Sequence, residues 1–266
     1  MDLGLAGKAV VIVGGTSGMG YATAEILAAE GARVALIGRN GERAELKAQR
    51  LRQQGGEVIA LAADGRIPGS VEAAIDSAAD HFGGLAGLAV TAGPGPAYGS
   101  FLNFSDSDWE EQFQTILMMT VRSCRAVIPH LQRVGGGRVV VTASMSTRVP
   151  RPALVPYVAM KGAAATLAKN LALEFGKDGI RVNCVCPGAV LTEVMGSALT
   201  KAVATYGEPA DAAFDRYARE NWGMKVALDR VGRARELGEL YAFLLSERAG
   251  YTTGATINSD GGTSFF

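Results

Sequence analysis

Tyr157 and Lys161 stand four residues apart, at the end of a stretch that begins at Ser144. Helix-tolerant residues lie between them, and an alanine-rich run, Gly162 to Leu173, follows. On a helix this spacing puts both side chains on one face, one turn apart. A phenol titrates near ~10 and alone is a weak acid or base at neutral pH. A lysine cation within reach favours the phenolate and lowers that value. The pair can then give a proton to a carbonyl oxygen or take one from an alcohol. Ser144, after an apolar run, could hold the same oxygen by a hydrogen bond. The plainer reading of Tyr-x-x-x-Lys is two surface residues that share a helix face, and the rest of the chain decides between the two.

The 266 residues are 48% hydrophobic, with a formal net charge of zero. That is enough for one large domain with a sizeable core. No composition break or linker divides the chain, so a single domain, 1–266, is expected. Balanced charge argues against nucleic acid or an anionic membrane as partner. Met1-Asp2-Leu3-Gly4 shows no signal-peptide pattern, and no apolar run approaches the ~20 residues of a membrane helix. Cys184 and Cys186 alternate on what reads as a buried strand, so they pack rather than pair. Neither they nor His81 and His130 form a metal-ligand cluster, and no metal is expected. A reduced, cytoplasmic compartment is the default expectation.

The elements that must position the chemistry alternate along the chain. Ala9 to Val13 is a continuous apolar run, as in a parallel strand covered on both faces. It enters Gly14-Gly15-Thr16-Ser17-Gly18-Met19-Gly20 and then a helical stretch, Tyr21 to Glu30. Strand, glycine turn and helix form a dinucleotide-binding layout: the glycines allow close approach to a pyrophosphate, and the helix N-terminus supplies N–H groups. Further strands are expected at 33–37, 58–62, 85–90, 138–142, 180–185 and 255–258. Helices are expected at 42–54, 70–82, 105–131 (broken or bent near Pro129), from Tyr157 to Phe175, and at 235–247. Residues 194–227 read as less regular. About seven strands alternating with helices predict a doubly wound parallel α/β sheet with helices on both faces. In such sheets ligands bind at the carboxyl ends of the strands, where the winding reverses. Gly14 to Gly20, Gly93, Ser144 and Pro187-Gly188 all fall there.

In this order and spacing the chain resembles the short-chain dehydrogenase/reductase family, over nearly its whole length, Lys8 to Gly262. The matching elements are Gly14-x-x-x-Gly18-x-Gly20, Asp64, Ala92-Gly93, Ser144 thirteen residues before Tyr157, and Tyr157-x-x-x-Lys161. Asn183, Pro187-Gly188 with Thr192, and Asp260-Gly261-Gly262 complete them. The resemblance implies a Rossmann-like single domain that binds NADP or NAD and interconverts a ketone and a secondary alcohol. Tyr157 would be the general acid/base, Lys161 would lower its pKa and bind the nicotinamide ribose, and Ser144 would orient the substrate oxygen. Cofactor contacts are implied at Gly14, Thr16, Ser17, Gly18, Met19, Gly20, Arg39, Asp64, Gly65, Ala92, Gly93, Pro187, Gly188, Val190 and Thr192, besides Tyr157 and Lys161. Relatives form dimers and tetramers through the two helices expected at 105–131 and 156–175, so a homotetramer is expected, with a dimer as fallback. The resemblance also implies that residues 189–227 form a substrate lid and, with Phe265-Phe266, shape the pocket. Met195, Phe214, Tyr217 and Trp222, with Met145, point together to an apolar, fairly bulky substrate, although each taken singly reads more readily as ordinary core that anchors the segment.

Three departures stand out. Val13 replaces the usual Thr, Val90-Thr91-Ala92-Gly93 replaces Asn-Asn-Ala-Gly, and the Asn of the long central helix falls on Ile116. That Asn helps to hold a proton-relaying water, which Ile cannot do. The relay must be rebuilt through Thr115 or Thr120, or run slower. This departure supports a second reading, a low-turnover cofactor-binding sensor or scaffold, against which the intact Ser144, Tyr157 and Lys161 weigh. A sugar-nucleotide epimerase or dehydratase would need more residues after Gly188. On the cofactor, the second strand ends Leu36-Ile37-Gly38-Arg39-Asn40. Gly38 stands where NAD-preferring relatives carry Asp, Arg39 offers a fork to a 2′-phosphate, and Ser17 a hydroxyl. No second basic residue accompanies Ser17. NADP is the preferred cofactor, with NAD possible.

Overall fold

Five consecutive apolar residues, Ala9–Val13, form β1, and all five are buried. In this computed structural model, which describes residues 2–93, 95, 98–150 and 152–264, β1 is an interior strand of the sheet, paired on both sides. Pro94, Pro96, Phe265 and Phe266 lie outside the described residues. The chain continues as α1 (Gly18–Ala29), β2 (Arg33–Gly38), α2 (Gly41–Gln53), β3 (Glu57–Ala62), α3 (Ser70–Phe82) and β4 (Gly87–Val90). Next come α4 (Asp106–Gln112), α5 (Met119–Arg133), β5 (Gly137–Thr142), α6 (Val155–Phe175) and β6 (Ile180–Pro187). A two-residue strand, β7 (Val190–Leu191), precedes α7 (Gly196–Tyr206) and α8 (Ala210–Trp222). The chain closes with β8 (Lys225–Val226), β9 (Gly232–Arg233), α9 (Ala234–Leu245), β10 (Thr256–Ser259) and β11 (Thr263–Ser264).

Seven strands pair in the order β10-β6-β5-β4-β1-β2-β3, every pair parallel. Alternation along β1 feeds two cores. Val11 and Val13 face a core shared with α3, α5 and α6, and Val10 and Ile12 a core shared with α1, α2 and α9. The winding reverses between β1 and β4, and a crevice opens at their carboxyl ends. This is the doubly wound, Rossmann-like sheet expected from the alternating pattern.

Two segments differ from expectation. Residues 194–227 are not irregular: α7 and α8 pack into a small third core of their own, built on Ala202, Ala213, Phe214 and Ala218. The long central helix does not break at Pro129, which lies inside α5. It is interrupted instead by a π-helical stretch, Phe113–Met118, between α4 and α5. Helix α6 packs against that stretch. Among the described residues no helix is long and apolar enough to cross a membrane.

The α1–α9 contact tests the packing. Gly238 of α9 is buried, and a Cβ there would lie 2.9 Å from the Ala22 carbonyl carbon and 3.0 Å from Thr23 N. Helix propensity alone would make Gly238→Ala stabilising by about 1 kcal/mol. Overpacking reverses the sign, and urea denaturation should show a net loss of roughly 1–3 kcal/mol. A more stable variant would show that the two helices separate without cost.

Candidate active site

The cavity starts at the end of β1. Gly14 turns the chain with φ 89, and a Cβ there would sit 2.5 Å from Ala92 N. Only a bare backbone allows the turn and the β4 end to approach so closely. Ser17 is the N-cap of α1, in extended conformation, and its side chain makes no capping hydrogen bond. With no acidic residue in the first turn either, the N–H groups at this helix end are left for an external anion. Glycine cradle and uncapped helix end suit a pyrophosphate.

The catalytic and cofactor-contact residues named from the sequence line one cavity of about 980 Å³: Gly14 and Thr16 to Gly20 of the glycine turn, Arg39, Asp64, Gly65, Ala92, Gly93, Ser144, Tyr157, Lys161, Pro187, Gly188, Val190 and Thr192. Asn183 is elsewhere. It is buried, donates to Thr252 O at 2.8 Å and accepts from Ala255 N at 3.1 Å, which ties β6 to the approach to β10. Asn40, Arg43, Arg66, Thr115 and Met119 also line the cavity, and sequence reasoning assigned no cofactor contact to them. Among the described residues no group of three or more His, Cys, Asp or Glu could hold a metal.

At one end of the cavity Lys161 is 4% exposed and donates from Nζ to Thr142 O at 2.8 Å. Burial pulls its pKa down to about 8. Its Nζ is 5.8 Å from the Tyr157 ring centre. Burial raises the Tyr157 phenol above its ordinary value, and the Ser144 hydroxyl acts in the opposite direction. This differs from the expected lowering by lysine. The ammonium is engaged by a carbonyl, and desolvation is the largest influence on the phenol. Ser144 Oγ accepts from Ser146 N at 3.2 Å, which fixes the hydroxyl at the mouth of β5. Beneath it the Thr142 hydroxyl donates to Val90 O at 2.6 Å and lies 2.5 Å from the Tyr241 hydroxyl.

Ile116 is buried inside the π-helical stretch. The two hydroxyls expected to replace the lost Asn are both engaged by their own helix: Thr115 donates to Glu111 O at 2.5 Å and Thr120 to Ile116 O at 2.7 Å. Of the two, Thr115 lines the cavity. Gln112, four residues before Ile116, has a buried Oε1 without a hydrogen-bond partner among the described residues. Thr91 keeps the β4 end joined to β1 despite Val13, with N and Oγ1 both donating to Val13 O, at 2.9 and 3.1 Å.

At the opposite end, a Cβ on Gly38 would lie 2.6 Å from Thr16 Cγ2. A carboxylate side chain does not fit at this position unless Thr16 moves. Arg39 and Arg43 border the cavity here. Asp64 is held below the usual carboxylate range, chiefly by Arg66, whose Nε lies 3.0 and 3.1 Å from the two carboxylate oxygens. Of the apolar side chains expected to receive substrate, only Met195 lines the cavity. Phe214 is fully buried, and Trp222 meets both Phe214 and Tyr217 edge to face, at 5.5 and 5.8 Å. Met145 joins the same small core. These residues stabilise the segment instead of facing a ligand.

Comparison with known proteins agrees with this arrangement. Residues 13–264 match the family model described as Enoyl-(Acyl carrier protein) reductase. The chain is 30% identical to Dehydrogenase/reductase SDR family member 4 of Oryctolagus cuniculus, over 97% of this chain and 94% of that one. L-sorbose reductase of Gluconobacter frateurii, in a crystal structure with NADPH and L-sorbose, superposes with a TM-score of 0.90 at 32% identity, over 98% of both chains. A 7α-hydroxysteroid dehydrogenase complexed with NADH and 7-oxo glycochenodeoxycholic acid superposes with a TM-score of 0.86 at 25% identity, over 100% of this chain and 97% of that one. With the glycine turn, the parallel sheet and the Ser–Tyr–Lys group already in one cavity, these likenesses establish that the chain belongs to the short-chain dehydrogenase/reductase family.

Proposed function

We propose that this oxidoreductase interconverts a ketone and a secondary alcohol of a small molecule, using NADP(H) in preference to NAD(H). The observation that carries the reading is the cavity itself, with Ser144, Tyr157 and Lys161 at one end and the glycine turn and Arg39 at the other. The nicotinamide, when bound, supplies or accepts the hydride. Tyr157 gives its proton to the carbonyl oxygen in reduction and takes one in oxidation, Ser144 orients that oxygen, and Lys161 holds positive charge beside the phenol. Residues 189–227 act as a substrate lid of the single domain. The expected apolar, bulky substrate now rests on Met195 alone, and the likeness to a protein bound to L-sorbose favours a polyhydroxy ketone as second reading. A cytoplasmic homotetramer, or failing that a dimer, joined through the outer faces of α4–α5 and α6, fits the exposed Leu173. The low-turnover sensor reading keeps Ile116 as its support.

Tyr157→Phe keeps the ring and removes the proton. Turnover on a ketone panel should fall by ~10²–10⁴ while cofactor binding is kept. A raised phenol pKa leaves the acid protonated at neutral pH, so wild-type reduction should hold steady below about pH 8 and decline as Lys161 loses its charge above about 8. Near-normal turnover of Tyr157→Phe would overturn the Tyr157 mechanism, whereas a wild type with negligible turnover on every ketone and alcohol of the panel would favour the sensor reading.

Cofactor choice is tested separately. A charge-assisted contact from Arg39 to the 2′-phosphate should give NADPH an advantage in kcat/KM of about ten- to a hundredfold over NADH. Arg39→Ala should remove most of it. Equal efficiency in the wild type, or a preference untouched by the substitution, would remove the NADP assignment.

A further inference from the structure

We propose that Glu193 sets cofactor selectivity by competing with the 2′-phosphate for Arg43, and that this competition releases the leading end of the lid. The proposal rests on the NADP(H) reading above. Arg43 lies in the first turn of α2, where Asn40 caps the helix by accepting from Arg43 N at 2.8 Å. It borders the cavity beside Arg39, so it is the second cation that the glycine turn lacks. Its Nη2 is paired with Glu193 Oε2. The other oxygen of Glu193 is 3.4 Å from Lys47 Nζ, which itself lies 4.2 Å from the centre of the Tyr21 ring.

Glu193 opens the short 3₁₀ turn Glu193–Met195 that leads into α7. Just before it, Thr192 passes over the glycine turn: a Cβ on Gly18 would meet Thr192 Cγ2 at 3.2 Å. The lid therefore straps across the cavity, from the β6 end to α2, and Glu193 is its fastening. The far end is held differently. Asp215 of α8 accepts from Val231 N at 3.0 Å and pairs with Arg233 at 2.8 Å. Asp215 is 15% exposed and Arg233 26%, whereas Glu193 is 55% exposed and Arg43 44%. Solvent weakens the Glu193 tie far more than the Asp215 tie. The leading end is the one that opens. A 2′-phosphate arriving between Arg39 and Arg43 repels the Glu193 carboxylate and takes over its guanidinium. A cofactor without that phosphate leaves the tie in place.

Titration calorimetry on the purified full chain, with adenosine 2′,5′-bisphosphate and adenosine 5′-monophosphate, tests this without turnover. Glu193→Gln should tighten the bisphosphate by about two- to fivefold, the factor carried by one exposed ion pair, and leave the monophosphate unchanged. Trypsin nicking at Lys201 in α7 reads the lid. The bisphosphate should accelerate it in the wild type, the monophosphate should not, and Glu193→Gln should be nicked at the faster rate without ligand. If the wild type prefers the bisphosphate and Glu193→Gln changes neither affinity nor nicking, the role of Glu193 falls and the NADP(H) reading stands. If neither protein distinguishes the two nucleotides, both fall. Equal binding in the wild type with a preference gained in Glu193→Gln supports the competition directly.

Discussion

A positive charge held inside protein is the constraint on which this site is built. Lys161 is 4% exposed, and burial moves its pKa from 10.5 to about 8. That gap corresponds to roughly 3 kcal/mol against the charged form. The hydrogen bond to Thr142 O is its one partner among the described residues, so the ammonium is placed by the end of β5. That strand end is itself fixed from the other side of the sheet, through the Thr142 hydroxyl, Val90 O and the fully buried Tyr241 of α9. The packing of α9 onto the sheet thus reaches the site. A charge so placed acts on whatever the cavity holds, because its own burial keeps it from the solvent that would screen it.

The rest of the site is set by what the backbone leaves empty. Gly14 lets β1 and the β4 end meet, and Gly38 leaves the end of β2 without a carboxylate, with Thr16 in the space a side chain would need. Uncapped α1 supplies N–H groups between these points. The cavity is therefore polarised along its length, from an anion cradle flanked by arginines to a phenol and an ammonium. This arrangement suits a negatively charged dinucleotide lying with its reactive end against Tyr157.

Much of this was legible in the chain itself. Apolar runs such as Ala9–Val13, short and bounded by a glycine turn, suit strands covered on both faces, and glycine turns, Ser144 and Pro187-Gly188 after such runs mark one edge of a parallel sheet. What could not be read comes from contacts without local periodicity. Phe214, Tyr217 and Trp222 read in sequence either as pocket residues or as ordinary core, and only the fold decides: they satisfy one another in a core of their own. Pro129 looks like a helix break, yet the helix changes its winding at Phe113–Met118 instead, against α6. Arg43 and Glu193 are 150 residues apart, and nothing short of the fold brings them together. The direction of the Tyr157 shift was missed because four-residue spacing reveals proximity and not desolvation.

The sign of the Lys161 contribution is open to direct measurement. Below about pH 8 the folded protein carries the cost of the buried cation in full, and the cost fades as pH rises towards 10.5, where the unfolded chain gives up its proton too. Urea unfolding of wild type and Lys161→Met should therefore find the variant more stable at pH 7, by roughly 1–3 kcal/mol. The difference should narrow steadily between about 8 and 10.5. A wild type that is the more stable protein at neutral pH, or a difference that does not change with pH, would mean that Lys161 is a structural asset and not a charge retained for chemistry.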